Sequence, residues 1–316
     1  MRRSIESTRR RVSRIVITDC DHPSIELERA IFIAAGHEVV LAQCRAAEEV
    51  IVAGLGAVAL LAQYAPITDA VMTALPGLRV VGRYGVGLDN IELPAATRHG
   101  VTVVNVPDYC IDEVADHAIG LLLALSRGIT ILDRAIHAGA WDFRRGGELR
   151  RASGKRLGII GLGRIGAATA RRAQALRFEV VATDPRAPKV DGVRLMDLEE
   201  LLATSDMVSL HPWLDPSTRH MLDAAALARM KPGALLVNTS RGGLVDQAAL
   251  VEALRSGHLG GAALDVLERE PIAPDDPLLT LPNVVLTPHA AFYSQESMVE
   301  LKTRVAEGIV AALTRG

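Results

Sequence analysis

One short stretch limits the fold more than any other part of the chain. The apolar run Arg156-Leu157-Gly158-Ile159-Ile160 passes directly into Gly161-Leu162-Gly163-Arg164-Ile165-Gly166. A helix-forming segment follows over 165–176, then a second strand-like run over 179–183 that ends in Asp184. Strand, glycine turn, helix, strand and acid in this order form the fingerprint of a dinucleotide-binding βαβ unit. Gly161 allows the tight turn, Gly163 lets backbone approach a pyrophosphate, and Gly166 lets helix and strand pack closely. The N–H groups at the helix start, on Arg164, Ile165 and Gly166, attract the phosphates. Asp184 is placed to accept hydrogen bonds from an adenosine ribose and would repel a 2′-phosphate, so the expected cofactor is NAD. Arg186, two residues on, is the one feature that would tolerate NADP.

The rest of the chain supplies a frame for that unit. Its 316 residues suffice for two domains with separate cores. Strand-like runs at 15–18, 39–42, 57–61, 80–81 and 101–104 alternate with helical stretches at 25–34, 46–52, 69–74 and 93–99. That alternation specifies a parallel sheet covered on both faces. Asn105-Val106-Pro107-Asp108 interrupts it, and a long apolar helix over 112–125 reads as a connector, packed either in the core or against a partner subunit. A second set of six strands starts at Arg156: 157–160, 180–183, 207–210, 235–238, 262–264 and 284–286. Asp246 is a candidate N-cap for a helix over 247–255 that Gly257 ends. A last helix spans 297–313.

The expected architecture is therefore α/β, two doubly wound parallel-sheet domains with a cleft between them. A Rossmann NAD-binding domain occupies 107–289 and begins with connector helices. A flavodoxin-like substrate domain is formed by 15–106 with 290–316. Residues 1–14, with six arginines among serines and threonines, read as a solvated basic tail.

Composition excludes other classes. Aromatic residues make up 3% of the chain, too few for a stacking groove for nucleic acid, and a net charge of −2 gives no broad attraction to nucleic acid or membrane. Cys20, Cys44 and Cys110 lie far apart, with no CxxC or Cys/His metal spacing, so no metal site is expected and a reduced, cytoplasmic setting is the simple reading. No apolar run has the length or flanks of a membrane span or signal peptide.

Three polar residues follow strand-like segments of the second domain: Arg241 after 235–238, Glu270 after 262–264 and His289 after 284–286. Carboxyl ends of parallel strands share the sheet edge that holds the cofactor. A cation that grips a carboxylate, an imidazole that moves a hydroxyl proton and an acid that supports the imidazole are the groups hydride exchange with a hydroxy acid needs. His211-Pro212 ends another strand and is a candidate for lining the cofactor. The remaining histidines, His117 among them, sit on helices or loops and read as structural or exposed.

At these residues the chain resembles the D-isomer-specific 2-hydroxyacid dehydrogenases. The likeness runs through Gly82-Arg83-Tyr84-Gly85-Val86-Gly87-Leu88-Asp89-Asn90-Ile91, the glycine fingerprint, Asn238-Thr239-Ser240-Arg241-Gly242, Ala263-Leu264-Asp265-Val266 and Pro288-His289. It implies Arg241, Glu270 and His289 as the catalytic set, with Arg241 and His289 touching both cofactor and substrate. It further implies Asp265 at the nicotinamide carboxamide, Thr239 beside the cofactor, and backbone at Val86 and Gly87 on the substrate carboxylate. Gln63, Tyr64 and Phe292 would lie near the substrate side chain. A homodimer formed through the connector helices is also implied. Formate-specific relatives carry glutamine where Glu270 stands, which argues against formate. The ending His289-Ala290-Ala291-Phe292 is similar to the C-terminal binding protein branch, corepressors that keep a dehydrogenase core. Those proteins carry tryptophan in place of Phe292 and a long tail where this chain ends at Gly316. Two functions follow: an NAD-dependent oxidoreductase acting on a small 2-hydroxy or 2-oxo acid with D stereospecificity, or an NAD(H)-sensing protein-interaction module.

Overall fold

A computed structural model of the chain describes residues 13–186 and 190–315. The basic tail therefore lies outside the described residues except at its end, where Ser13 and Arg14 already belong to the first strand. The described residues divide into two compact units, 13–109 with 294–315, and 110–186 with 190–293.

The first unit is built from β1 (Ser13–Ile17), α1 (Glu26–Ala34), β2 (His37–Leu41), α2 (Ala47–Gly54), β3 (Ala57–Ala62), α3 (Asp69–Ala74), β4 (Val80–Arg83), α4 (Leu93–Arg98) and β5 (Thr102–Val104). All its strands pair in parallel in the order β2-β1-β3-β4-β5. Central strands buried on both faces explain the unbroken apolar runs, such as Ala57 to Ala62 in β3. The last helix of the chain, α11 (Gln295–Arg315), returns to this unit and packs on α1 and β4. Between them lies a buried polar link. Tyr84 Oη donates to Glu28 Oε1 at 2.6 Å, and Lys302 Nζ stands 3.6 Å from Glu28 Oε2. Burial, then the neighbouring Glu28 carboxylate, pushes the Tyr84 phenol far up, so it stays a donor.

The second unit contains α5 (Ile111–Ser126), α6 (Ile129–His137), β6 (Arg156–Ile160), α7 (Arg164–Ala175), β7 (Glu179–Thr183), β8 (Arg194–Leu195), α8 (Leu198–Thr204), β9 (Met207–Leu210), α9 (Ala224–Arg229), β10 (Ala234–Asn238), α10 (Gln247–Arg255), β11 (Leu259–Leu264) and β12 (Val284–Leu286). After it comes α11 (Gln295–Arg315). The parallel sheet has seven strands, ordered β12-β11-β10-β9-β6-β7-β8, one more than the sequence suggested. The added strand, β8, is two exposed residues long and carries no apolar alternation to announce it.

The expected connector helix is α5, which packs on α7 and against β10 and β11, so its apolar face serves the core of its own unit. Asp246 caps α10 as expected, its side chain accepting the N–H of Ala249. Among the described residues no helix is long and apolar enough to cross a membrane.

Gly166 shows how tightly β6 and α7 are joined, since a Cβ there would stand 2.0 Å from the Gly161 carbonyl oxygen. Gly166→Ala should therefore cost about 1–3 kcal/mol through forced overpacking, although alanine ordinarily favours helix. Urea unfolding tests this; an unchanged or raised midpoint would refute the close contact.

Candidate active site

The nucleotide end of the second unit is a loop held open by glycine and braced by an acid. Gly161 leaves β6 with φ +84°, and a Cβ on it would meet the Pro212 nitrogen at 2.7 Å and the His211 carbonyl carbon at 2.8 Å. The glycine loop is thus seated on the loop after β9. Gly163 has open space where a side chain would be and heads α7 with no side-chain cap, which leaves the first-turn N–H groups of Arg164 and Ile165 without a side-chain acceptor. Asp184 Oδ2 accepts from Leu162 N at 2.9 Å and its Oδ1 from Arg186 N at 2.8 Å. The carboxylate fixes both loops and keeps lone pairs for ribose hydroxyls. Thr239 Oγ1 is buried with no hydrogen-bond partner, an orphan that a cofactor atom would satisfy. His211 is half-buried, bonded through Nε2 to Ser209 Oγ at 2.9 Å, and burial pushes its pKa down to about 4. It is therefore neutral at ordinary pH. These residues fit a dinucleotide.

Beside them, the ends of β10, β11 and β12 bring the three chemical groups together. Asn238, the last residue of β10, shapes the turn: its Oδ1 accepts from Ser240 N and its Nδ2 donates to the Arg241 carbonyl. Arg241 Nη1 donates to the Ser240 carbonyl at 2.8 Å, fixing the guanidinium near its own backbone. Gly242 must be glycine, because a Cβ would fall 1.9 Å from the Leu267 carbonyl carbon in the loop that carries Glu270.

Glu270 Oε1 accepts from Leu267 N at 2.9 Å, and Oε2 lies 2.7 Å from His289 Nδ1. A carboxylate only accepts, so Nδ1 carries the proton and Nε2 is the nitrogen left for a substrate. Burial alone would raise Glu270, but the His289 hydrogen bond and charge, the Leu267 N–H and the Arg241 cation outweigh it and hold the carboxyl below its usual range. It is ionised wherever the imidazole needs an anionic partner.

Asp265 has a task the resemblance did not indicate. It is 2% exposed, and its Oδ1 accepts from the Thr287 hydroxyl and from Ala290 N at 2.8 Å, while Oδ2 accepts from Ala291 N at 3.0 Å. Its backbone carbonyl takes the His289 N–H at 2.8 Å. His289 itself has φ +52°, the left-handed region a side chain seldom occupies. Asp265 therefore fastens the turn on both sides of the imidazole. His117, whose place on a helix gives no sign of a role here, joins this network with Nε2 3.0 Å from Thr287 Oγ1. The Thr287 hydroxyl donates to Asp265, so its oxygen accepts from His117. No local signal links residues 170 positions apart. Phe292 stands edge-on to His289, ring centroids 6.2 Å apart.

The expected substrate residues of the first unit form their own cluster, at the carboxyl ends of β1, β3 and β4. Asp19 accepts the N–H groups of Gln63, Tyr64 and Ala65. Gln63 pairs with Asp21 through both amide atoms, and Tyr64 Oη donates to Asp21 Oδ2 at 3.2 Å. Burial, with the Asp21 carboxylate beside it, pushes the Tyr64 pKa up to about 12. Asn105 Nδ2 donates to the Val86 carbonyl at 2.7 Å, which orients the Val86-Gly87 backbone.

Comparison with known proteins fits this geometry. Residues 119–291 match the family model described as D-isomer specific 2-hydroxyacid dehydrogenase, NAD binding domain. The chain belongs to the D-isomer specific 2-hydroxyacid dehydrogenase family. Within the family it is 45% identical over 253 residues to a glyoxylate reductase of Korarchaeum cryptofilum, covering 78% of this chain and 76% of the relative. It is 44% identical over 247 residues to a D-3-phosphoglycerate dehydrogenase of Archaeoglobus fulgidus, covering 76% of this chain but only 46% of that longer protein. The structure of the TT0316 protein from Thermus thermophilus superposes with a TM-score of 0.87 at 37% identity, covering 96% of this chain and 97% of the other. Membership of the family brings with it an NAD-binding domain and the two parallel-sheet α/β units described above.

The Glu270 environment carries a pH prediction. Its folded pKa is depressed, so the anionic form persists as pH falls through the ordinary glutamate value of about 4.3 and is lost only beneath it. A ¹³C NMR titration of the carboxyl carbon should place the midpoint under that value; a midpoint above it would remove the ionic partnership with His289.

Proposed function

We propose that this chain is an NAD-dependent D-2-hydroxyacid dehydrogenase acting on a small 2-oxo or 2-hydroxy acid. The observation that carries the reading is the 2.7 Å bond from His289 Nδ1 to Glu270, within the field of Arg241. When bound, NADH supplies the hydride that reduces C2 of the 2-oxo acid. Arg241 grips the substrate carboxylate. His289 gives its Nε2 proton to the carbonyl oxygen as that atom gains charge, and Glu270 stabilises the imidazole in its charged form beforehand. The 2-hydroxy acid leaves with that proton, and the neutral imidazole is recharged from solvent. Phe292, edge-on to His289, would face the substrate side chain, and glyoxylate, named for the Korarchaeum cryptofilum relative, is the first acid to try. A cytoplasmic homodimer is part of the proposal. In support, α6 has no buried residue within the protomer, while Trp141 and Phe143 are 91% and 83% exposed. Sedimentation at micromolar concentration tests the dimer.

A panel of 2-oxo acids, followed by NADH absorbance, tests the activity. His289→Ala should lower kcat by about 10²–10⁴-fold while NADH still binds. Undiminished turnover in that variant would take His289 out of the chemistry. Arg241→Lys should raise KM more than it lowers kcat, because an ammonium cannot grip a carboxylate with two parallel N–H donors. Tight NADH binding with no turnover on any acid would favour the corepressor-like sensor reading suggested by His289-Ala290-Ala291-Phe292.

A further inference from the structure

The turn after Arg241 and the loop that carries Glu270 are joined a second time, by residues that the chemistry above does not use. His220 lies between β9 and α9 in left-handed backbone, φ +51°, and its N–H donates to the Gly243 carbonyl at 2.8 Å. Leu222 N donates to the Leu244 carbonyl at 3.1 Å, so the same segment holds the Arg241 turn twice. The His220 ring reaches the other loop, where Nε2 is bonded to Glu268 Oε1. A carboxylate only accepts, so Nε2 carries the proton. Glu268 Oε2 accepts from Gln247 N at 3.4 Å, Glu268 N donates to Gln247 Oε1 at 3.3 Å, and Gln247 Nε2 donates to Asp276 Oδ2 at 2.8 Å. Glu270 thus lies between two points, Glu268 and Asp276, that the first residue of α10 holds.

We propose that His220 and Glu268 are positioning residues, a clasp that fixes how Glu270 meets His289. The inference rests on the dehydrogenase chemistry of those two groups. A partly exposed ion pair ordinarily contributes little, but this one sits where any shift is passed on at once. Leu267, next to Glu268, donates its N–H to Glu270 Oε1 at 2.9 Å, and its carbonyl is what a Cβ on Gly242 would strike. The two backbones touch there, yet contact resists only closer approach. The clasp opposes the other motion and keeps the loops from parting. Without it the Leu267 N–H withdraws, and Glu270 loses the brace opposite its 2.7 Å bond to His289. Left-handed backbone is unfavourable for a residue with a Cβ, so His220 is held there by these bonds and not by its own preference.

Two measurements on the whole chain test the clasp, with three variants. His220→Asn keeps a residue that tolerates left-handed backbone but shortens the side chain, Glu268→Ala removes the acceptor, and Glu268→Gln keeps an acceptor oxygen. The first measurement needs no substrate: ¹⁵N NMR of the His289 ring, assigned with His289→Ala, reports whether Nδ1 still donates to Glu270. In His220→Asn and Glu268→Ala its signal should move toward that of free imidazole, and in Glu268→Gln it should stay near the wild-type position. The second is steady-state reduction of glyoxylate by NADH. His220→Asn and Glu268→Ala should each lower kcat about tenfold with KM for NADH unchanged. The double variant should lose no more than either single one, and Glu268→Gln should keep most of the rate. Unmoved His289 nitrogens in the first two variants would overturn the clasp, as would losses that multiply in the double variant. A lowered urea midpoint with kcat unchanged would also overturn it, since that marks a pair serving the fold alone. The NMR result decides the clasp whether or not any acid is turned over, so this inference and the dehydrogenase reading fail separately.

Discussion

The buried carboxylate of Asp265 is the constraint on which the chemical end of the second unit depends. An ionised carboxylate taken out of water is costly unless hydrogen bonds replace its hydration. Here the replacements are the Thr287 hydroxyl and the N–H groups of Ala290 and Ala291, all on the turn that carries His289. The turn in turn places His289 in left-handed backbone, a conformation costing about 1–3 kcal/mol for a residue with a side chain. Each cost is met by the other: the acid is satisfied only if the turn closes, and the turn stays closed only because the acid fills it. The imidazole is thereby delivered to Glu270 at 2.7 Å.

Parallel topology explains why so few bonds suffice. β10, β11 and β12 are neighbours in the sheet, so Arg241, the Asp265–Glu270 loop and His289 leave the same edge in adjacent positions. Short contacts then lock one loop to the next. Gly242 against the Leu267 carbonyl joins the first pair, and Asp265 joins the second. The same edge continues to β9, β6 and β7, where His211-Pro212, the glycine turn and Asp184 are linked in the same manner.

Much of this was legible in the sequence because buried parallel strands are written as apolar runs with turn residues after them. β9 and β12 have the expected bounds, as do α3 and α10, and the three chemical residues follow the strands that were read. What escaped was whatever lacked such a pattern. β8 is a pair of exposed residues, α6 has no fully buried residue, and α8 and α9 are each under two full turns. His117 sits in the middle of an apolar helix, and only the folded chain shows that Thr287 is within 3.0 Å of it. For Asp265 the family likeness points to the cofactor; that both its oxygens also hold the following turn depends on β11 and β12 being neighbours, which spacing alone does not encode.

The two units use related sheets in opposite ways. Each has a reversal of strand order, between β1 and β3 in the first and between β6 and β9 in the second, and each presents backbone N–H groups there. In the second unit the loop after β6 is kept free of side chains at Gly163, and the start of α7 has no side-chain cap, so an incoming phosphate can be the acceptor. In the first unit the chain supplies its own anion: Asp19 takes the N–H groups of Gln63, Tyr64 and Ala65, and Asp21 takes the side chains of Gln63 and Tyr64. A nest already filled by a carboxylate has no donors left for a phosphate and repels one electrostatically. The fold alone does not decide which crevice receives a nucleotide; a glycine in one loop and an aspartate at the other do.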